Sequence, residues 1–445
     1  MEHAASLPQT SRRPASPLAG TIKVPGDKSI SHRALMFAGL AVGETRISGL
    51  LEGEDVLRTA TAMRALGAAM ERTGPGEWRA SGPGIGGLQS PDDVLDMGNS
   101  GTAARLLCGI LASHDIFAVM TGDASLRRRP MRRVIDPLAA TGAVFAAREG
   151  GRLPLSVRGA AEAMPLSYRL PVASAQVKSA LLLAGLNARG ITEIEEPEPT
   201  RDHSENMLRH FGAEVDIAAH GTGKLIRLRG QPELRGADVV VPGDPSSAAF
   251  PIVAALIVPG SRVTIQGVGL NPLRTGLFLT LREMGAAIAI VNAREAGGEP
   301  VGDLIVTASD LRAVDVPAER APSMIDEYPI LAIACAMARG TSRLRGLAEL
   351  RVKESDRLAA TLAMIAANGV KARVEDDDLI IEGGGARGGA TVATHMDHRL
   401  AMSALVMGLA TATPVTIDDA RFIDTSFPDF LPLMRGIGAA IEATA

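Results

Sequence analysis

The chain has 445 residues, 46% apolar and 22% charged, which is enough for two large domains or three ordinary ones with buried cores. A formal charge of −4 and only 1 Trp, 2 Tyr and 9 Phe argue against a nucleic-acid binder working by bulk charge or base stacking. Cys108 and Cys335 both fall in apolar helical patterns, which excludes a disulfide framework and a cysteine-based metal site.

Residues 1–17 are rich in Pro, Ser and Arg and lack the apolar stretch of a signal peptide, so they read as a flexible tail outside the fold. No apolar run reaches membrane-spanning length. The expectation is a cytoplasmic protein with no membrane or nucleic-acid partner.

After the tail, the run GTIKV leads into VPGDKS (24–29), a buried helix over 29–42, the strand TRISG and a polar helix ending MRALGA (63–68). The cycle then recurs. Further buried helices are expected at 101–113, 175–188, 246–258, 327–339 and 398–411, each rich in Ala and Leu and nearly apolar all round. The strands IFAVMT, ITEIE, RVTIQG, SRLRG and PVTID follow them. Polar helices then end in LAATGA (138–143), LRHFGA (208–213), LREMGA (281–286), IAANGV (365–370) and MRGIGA (434–439). The glycines at 67, 142, 212, 285, 369 and 438 are spaced by 75, 70, 73, 84 and 69 residues. They suit the left-handed position that ends a helix. Strands such as GRLPLSVRG and DDLIIEGG close each unit, so the repeat is helix–strand–helix–strand–strand. One unit cannot bury its apolar helix alone, but three can surround a common bundle.

A second symmetry lies over the first. VPGDKS and VPGDPS (241–246) begin 217 residues apart. The expected fold class is α/β, with two homologous domains of three units each around buried helices. The first, discontinuous domain takes 18–26 plus 243–445, and the second takes 27–242.

Each buried helix opens on a polar cluster. Capping alone accounts for Asp, Asn and Ser there, and Asp244, Ser246 and Ser247 read as caps and turn residues. The cations Lys28, Arg33, Arg105 and Arg399 do not fit that role. A helix N-terminus carries partial positive charge, which disfavours them unless an anion is bound beside them. GDKS lacks the glycine spacing of a nucleotide phosphate loop. THMDH (394–398) offers two histidines without a third ligand, so no metal is expected. Of the 46 basic residues only six are lysines, and Lys28 and Lys353 both sit in these polar loops.

The motifs GDKSISHR (26–33), GNSGTAARLL (98–107), GDASLRRRPM (122–131), PVASAQVKSALLLAGL (171–186), TRDHSENML (200–208), APSMIDEYPIL (321–331), ELRVKESDR (349–357) and DHRLAMS (397–403) resemble those of the 5-enolpyruvylshikimate-3-phosphate synthases. These are the 3-phosphoshikimate 1-carboxyvinyltransferases of the enolpyruvyl transferase family. The likeness runs from about residue 18 to 440. It implies an inside-out α/β barrel in each domain, an active site in the cleft between them, and a monomer. The implied reaction joins shikimate 3-phosphate and phosphoenolpyruvate with release of phosphate, in the shikimate pathway of aromatic amino acid biosynthesis. No metal or organic cofactor is implied.

Position by position, the resemblance implies that Lys28, Ser29, Arg33, Ser174, Ala175, Gln176 and, more weakly, Arg201 hold shikimate 3-phosphate, with Asp326 and Lys353 on its hydroxyls. Lys28, Gly101, Arg129, Gln176, Arg357 and Arg399 match the phosphoenolpyruvate pocket. The two substrates together carry roughly five to six negative charges. Seven motif-matched cations (Lys28, Arg33, Arg129, Arg201, Lys353, Arg357 and Arg399) stand against them. Asp326 resembles the base on the hydroxyl and Glu354 the acid–base group at the methylene carbon, with Lys28 competing for that role. The residues alone leave open that Asp326 is a helix cap and Glu354 a first-turn acid. Gly101 is implied to govern sensitivity to glyphosate, with Leu106 beside it arguing for tolerance. Thr425 stands where many members carry a lysine. The enolpyruvyl transferases acting on nucleotide sugars carry a reactive Cys before an Arg-Pro pair. Here Asp123-Ala124-Ser125 precedes Arg129-Pro130.

Overall fold

The computed structural model describes residues 7–444 and divides them into two compact units. The first unit holds the residues up to Pro25, Pro242–Glu295 and those from Pro300 onward. The second holds Gly26–Val241 and Ala296–Glu299. The chain leaves one unit for the other inside each VPGD segment.

In the second unit three apolar helices, Lys28–Leu40, Gly101–Ala112 and Ala175–Gly185, are buried almost throughout. Three four-stranded sheets belong to the unit. In one, Leu95–Asp96 runs parallel to Phe117–Thr121, and Arg152–Arg158 and Val144–Arg148 continue it antiparallel. The strand Arg152–Arg158 shows why. Leu153, Leu155 and Val157 are buried while Arg152, Pro154 and Arg158 face outward, so one face of the sheet is apolar. Burying each such side chain contributes about 1.5–3 kcal/mol. Two of the buried helices pack closely, because Gly109 lies against the next helix. A Cβ there would come within 2.1 Å of the Ala180 carbonyl oxygen.

The first unit repeats the plan with the helices Pro245–Ile257, Tyr328–Met337 and His398–Gly408. Its Ala19–Lys23 strand pairs parallel with Arg262–Gly269. In both units a short strand ahead of each buried helix adds a fourth member to the sheets, beyond the three strands per unit expected from sequence. The six repeat glycines have φ of 98, 98, 93, 93, 85 and 100°, the left-handed geometry their position requires.

One expectation is corrected. Residues 9–12 are not part of a tail outside the fold. Only one strand, Ala440–Ala443, follows the last polar helix, where the other repeats have two. Gln9–Arg12 supplies the missing one, antiparallel to both Val415–Ile417 and Ala440–Ala443. Without it both neighbours would expose open edges. Ser11 is buried against Gly408, where a Cβ would lie 2.0 Å from the serine hydroxyl. Residues 1–6 of the expected tail lie outside the described residues. Among the described residues no helix is long and apolar enough to cross a membrane.

Candidate active site

Many of the residues singled out by sequence sit at the opening turns of the buried helices, while Arg129, Arg201, Lys353, Glu354 and Arg357 come from the loops and polar helices between them. In the second unit Asp27 caps the first helix, its Oδ1 accepting from the Ile30 amide at 2.9 Å. Lys28 follows, its Nζ 3.3 Å from Asp55 Oδ2. The Ser29 carbonyl accepts from Arg33 Nη1 at 2.9 Å. Arg33 is buried and also donates from Nε to Ser204 Oγ (2.8 Å) and from Nη2 to Ser179 Oγ (2.7 Å). Burial pushes its pKa down to about 10, with Arg201 adding to the push while Glu205, Asp27 and Glu299 oppose it. His32 is pushed down to about 3, by burial first and then by Lys28 and Arg33. It is therefore neutral, with Nδ1 2.7 Å from Thr59 Oγ1.

A second cluster joins the other two helix openings of this unit. Ser174 caps the helix Ala175–Gly185, accepting from the Val177 amide at 3.4 Å. Gln176, one residue into that helix, accepts at Oε1 from Arg105 Nη1 (2.9 Å) and donates from Nε2 to Thr102 Oγ1 (3.2 Å). Arg129 Nη2 donates to Asn99 Oδ1 (2.9 Å) and Ser125 Oγ (3.4 Å). Gly101 lies between the two arginines: an added Cβ would stand 2.9 Å from Arg105 Nη1 and 3.1 Å from Arg129 Nη1. Gly101, Arg129 and Gln176 are thus brought together. Leu106 is fully buried in the core. Lys178, in the same motif as Gln176, is buried between Glu205 (2.8 Å) and Glu196 (3.0 Å) and belongs to the core, not to this cluster.

In the first unit the candidates surround one guanidinium. Arg357 starts the helix Arg357–Ala367, which Asp356 caps through the Ala359 amide at 3.0 Å. Arg357 Nε donates to Asp397 Oδ2 (2.8 Å) and Nη1 to Asp326 Oδ1 (3.3 Å), while Nη2 is 2.6 Å from Glu354 Oε2. Lys353 Nζ lies 3.7 Å from Asp326 Oδ1 and 3.1 Å from Glu349 Oε1. Arg399 Nη1 donates to the Asp326 carbonyl at 3.2 Å and is 3.8 Å from Glu327 Oε1. Burial would raise the Asp397 carboxyl, but the Arg357 cation holds it below the usual carboxylate range. Burial would lower Arg357, but Asp397, Glu354 and Asp326 raise it instead.

Two readings that the residues left open change here. Asp326 is not a helix cap, since Glu327 holds that position at Tyr328–Met337. Glu354 is not in a first turn, since the helix begins at Arg357. Arg357 is 1% exposed and enclosed by acids. Thr425, at the position of the missing lysine, turns its hydroxyl back to the Phe422 carbonyl at 2.7 Å.

Sequence reasoning missed several members of the site. Asp397 read as a cap only, although an acid beside His398 and Arg399 is itself a hint of an ion-pair network. Asp244 and Ser246 cap and turn as expected, but both also receive the buried Arg274, at 2.8 and 3.1 Å, and Ser246 hydrogen-bonds Glu327. Nothing in the local pattern marks Arg274 or Asp55. Among the described residues no group of three or more His, Cys, Asp or Glu is placed to hold a metal ion.

The model of the family "EPSP synthase (3-phosphoshikimate 1-carboxyvinyltransferase)" matches residues 12–434. The chain belongs to this family. It is similar, at 95% identity over the full length of both chains, to a 3-phosphoshikimate 1-carboxyvinyltransferase of Acidiphilium cryptum (strain JF-5). One from Granulibacter bethesdensis is 71% identical over 98% of this chain and 97% of its own. Among solved structures, an EPSP synthase from Acinetobacter baumannii superposes with a TM-score of 0.90 at 43% identity, covering 99% of this chain and all of the other. Membership accounts for the repeated units and for the clustering of the motif residues at the helix openings.

Proposed function

We propose that this chain transfers the enolpyruvyl group of phosphoenolpyruvate to the 5-hydroxyl of shikimate 3-phosphate, with release of phosphate, in aromatic amino acid biosynthesis. The reaction is an addition followed by an elimination. In the addition, the 5-hydroxyl oxygen bonds to the phosphate-bearing carbon of phosphoenolpyruvate, and its proton leaves as another proton reaches the methylene carbon. In the elimination, a proton leaves the new methyl group, the double bond re-forms and phosphate departs. Two proton-transfer groups are therefore needed.

The observation that carries the reading is that Asp326 and Glu354 flank one guanidinium, Arg357, in the first unit. In this reading Asp326 takes the proton from the 5-hydroxyl, and Glu354 serves the methylene carbon. A shared cation fixes the spacing of the two acids. Lys353 binds the hydroxyls beside Asp326, and Arg399 binds the phosphoenolpyruvate anion. In the second unit Lys28, Ser29, Arg33 and Arg201 take the anionic groups of shikimate 3-phosphate, together with Ser174, Ala175 and Gln176. Gly101, Arg129 and Gln176 take phosphoenolpyruvate. Arg357 holds the two acids and, with Arg399, faces the phosphoenolpyruvate anion. The steps move protons and the carboxyvinyl group only, so the reading invokes no metal or organic cofactor.

The test is phosphate release by the purified protein, with turnover expected only when both shikimate 3-phosphate and phosphoenolpyruvate are supplied. Release with either one alone, or with a uridine-diphosphate sugar in place of shikimate 3-phosphate, would overturn the reading.

A further inference from the structure

Arg105 lies in the buried helix Gly101–Ala112 and is only 7% exposed, a costly place for a cation. It folds back along its own helix, with Nη1 3.4 Å from the Gly101 carbonyl, and reaches across to Gln176 Oε1 at 2.9 Å. Arg133 Nη2 approaches the same oxygen at 3.5 Å. A guanidinium has donors and no acceptor, so the atom of Gln176 facing these arginines must be the oxygen. The amide nitrogen is thereby forced to the other side, where one N–H reaches Thr102 Oγ1 and the second remains for a ligand. Gly101 leaves room for the arrangement, since a Cβ there would stand 2.9 Å from Arg105 Nη1.

We infer that Arg105 is a positioning residue, which locks the Gln176 side-chain amide so that it offers N–H, never C=O, to an anionic substrate. The inference rests on the reading above that Gln176 touches phosphoenolpyruvate. Without Arg105 only the longer Arg133 contact, 3.5 Å, holds the oxygen, and an amide that rotates would turn its carbonyl dipole against the anion it should bind. The helix-opening cation that capping cannot explain thus acts through its neighbour.

A double-mutant cycle tests this with steady-state kinetics for both substrates. Arg105→Met should raise the KM for phosphoenolpyruvate about tenfold, the size of a lost hydrogen bond to a charged group. Arg105→Lys, which keeps a donor, should recover most of that loss. In a Gln176→Ala background Arg105→Met should change KM by less than about twofold, because the group it orients is gone. An Arg105→Met effect of equal size in both backgrounds would overturn the inference while leaving the role of Gln176 intact. If Gln176→Ala alone leaves both KM values unchanged, the reading of Gln176 fails and the inference falls with it. Gln176→Glu keeps Arg105 and its partner oxygen, so it guards against a variant that does not fold. Its second oxygen faces the anion, and it should bind phosphoenolpyruvate more weakly than Gln176→Ala. Binding as good as that of Gln176→Ala would show that the orientation of the donor does not matter.

Discussion

Arg33 and Arg129 in the second unit donate to hydroxyl, carbonyl and amide oxygens, whereas Arg357 in the first unit is enclosed by Asp326, Glu354 and Asp397. A guanidinium held by neutral oxygens keeps its charge for an incoming anion. One enclosed by carboxylates has its charge partly balanced, holds Asp397 ionised and aligns the other two acids. The seven cations matched by sequence are therefore not equivalent. Lys353, Arg357 and Arg399 face acids in the first unit and Lys28 faces Asp55 in the second, whereas the hydrogen bonds of Arg33 and Arg129 go to neutral oxygens.

The largest expected effect falls on the acids. Asp326→Asn and Glu354→Gln should each lower kcat by about 10² to 10⁴ with KM values little changed, as for general acid–base groups. Turnover that is unchanged in either variant would remove that residue from the mechanism. Loss of folding instead of turnover would make the acids structural and erase the distinction between the units.

Next comes stability, read by urea unfolding. Arg357→Met strips the fully buried Asp397 of its guanidinium partner and should cost about 3–5 kcal/mol. Arg33→Met strands only neutral oxygens and should cost about 1–3 kcal/mol. Equal losses would show that the carboxylate and neutral settings do not differ energetically.

The pH dependence separates the two regions further. His32 has a folded pKa of about 3 against an ordinary 6.5, so the unfolded chain binds a proton that the folded one refuses. His32 should therefore lower stability by about 1.4 kcal/mol per pH unit as pH drops below about 6.5, and His32→Gln should remove that share, leaving the contribution of His114, which burial also depresses. Asp397, depressed by Arg357, contributes stability that is fully present above the ordinary carboxylate pKa of about 3.9 and is lost as pH falls through its lower folded value. A wild-type slope that His32→Gln leaves unchanged between pH 4 and 6.5 (roughly the histidine window) would refute the assignment.

The smallest effect is at Gly101. Its added methyl meets the ends of two flexible arginines rather than backbone, so Gly101→Ala should cost about 1 kcal/mol, roughly fivefold in KM for phosphoenolpyruvate. Glyphosate is longer than phosphoenolpyruvate, and its inhibition constant should rise by clearly more. Parallel changes in both constants would mean that Gly101 does not discriminate between them.

Much of the molecule was legible without coordinates because the signals are local. A helix-ending glycine, an apolar face at the helical period and a capping Asp or Ser act over a few residues, so Gly67 and its five counterparts, the six buried helices and the doubled VPGD segments stand out in the chain itself. Many of the motif residues could also be named, since they sit in helix openings that the pattern marks. The pairings could not. Gln9 lies opposite Ile417, and Arg357 reaches Asp397 forty residues on, contacts that depend on how sheets and helices close and leave no periodic trace. The charges in the sequence count Arg33, Arg105, Arg129 and Arg357 as the same residue type. Only the tertiary structure decides that neutral oxygens hold Arg33 and Arg129, that acids enclose Arg357 and that Arg105 turns the Gln176 amide. The energy of a buried cation depends on which atoms pack around it, and neighbours in space are not neighbours in the chain.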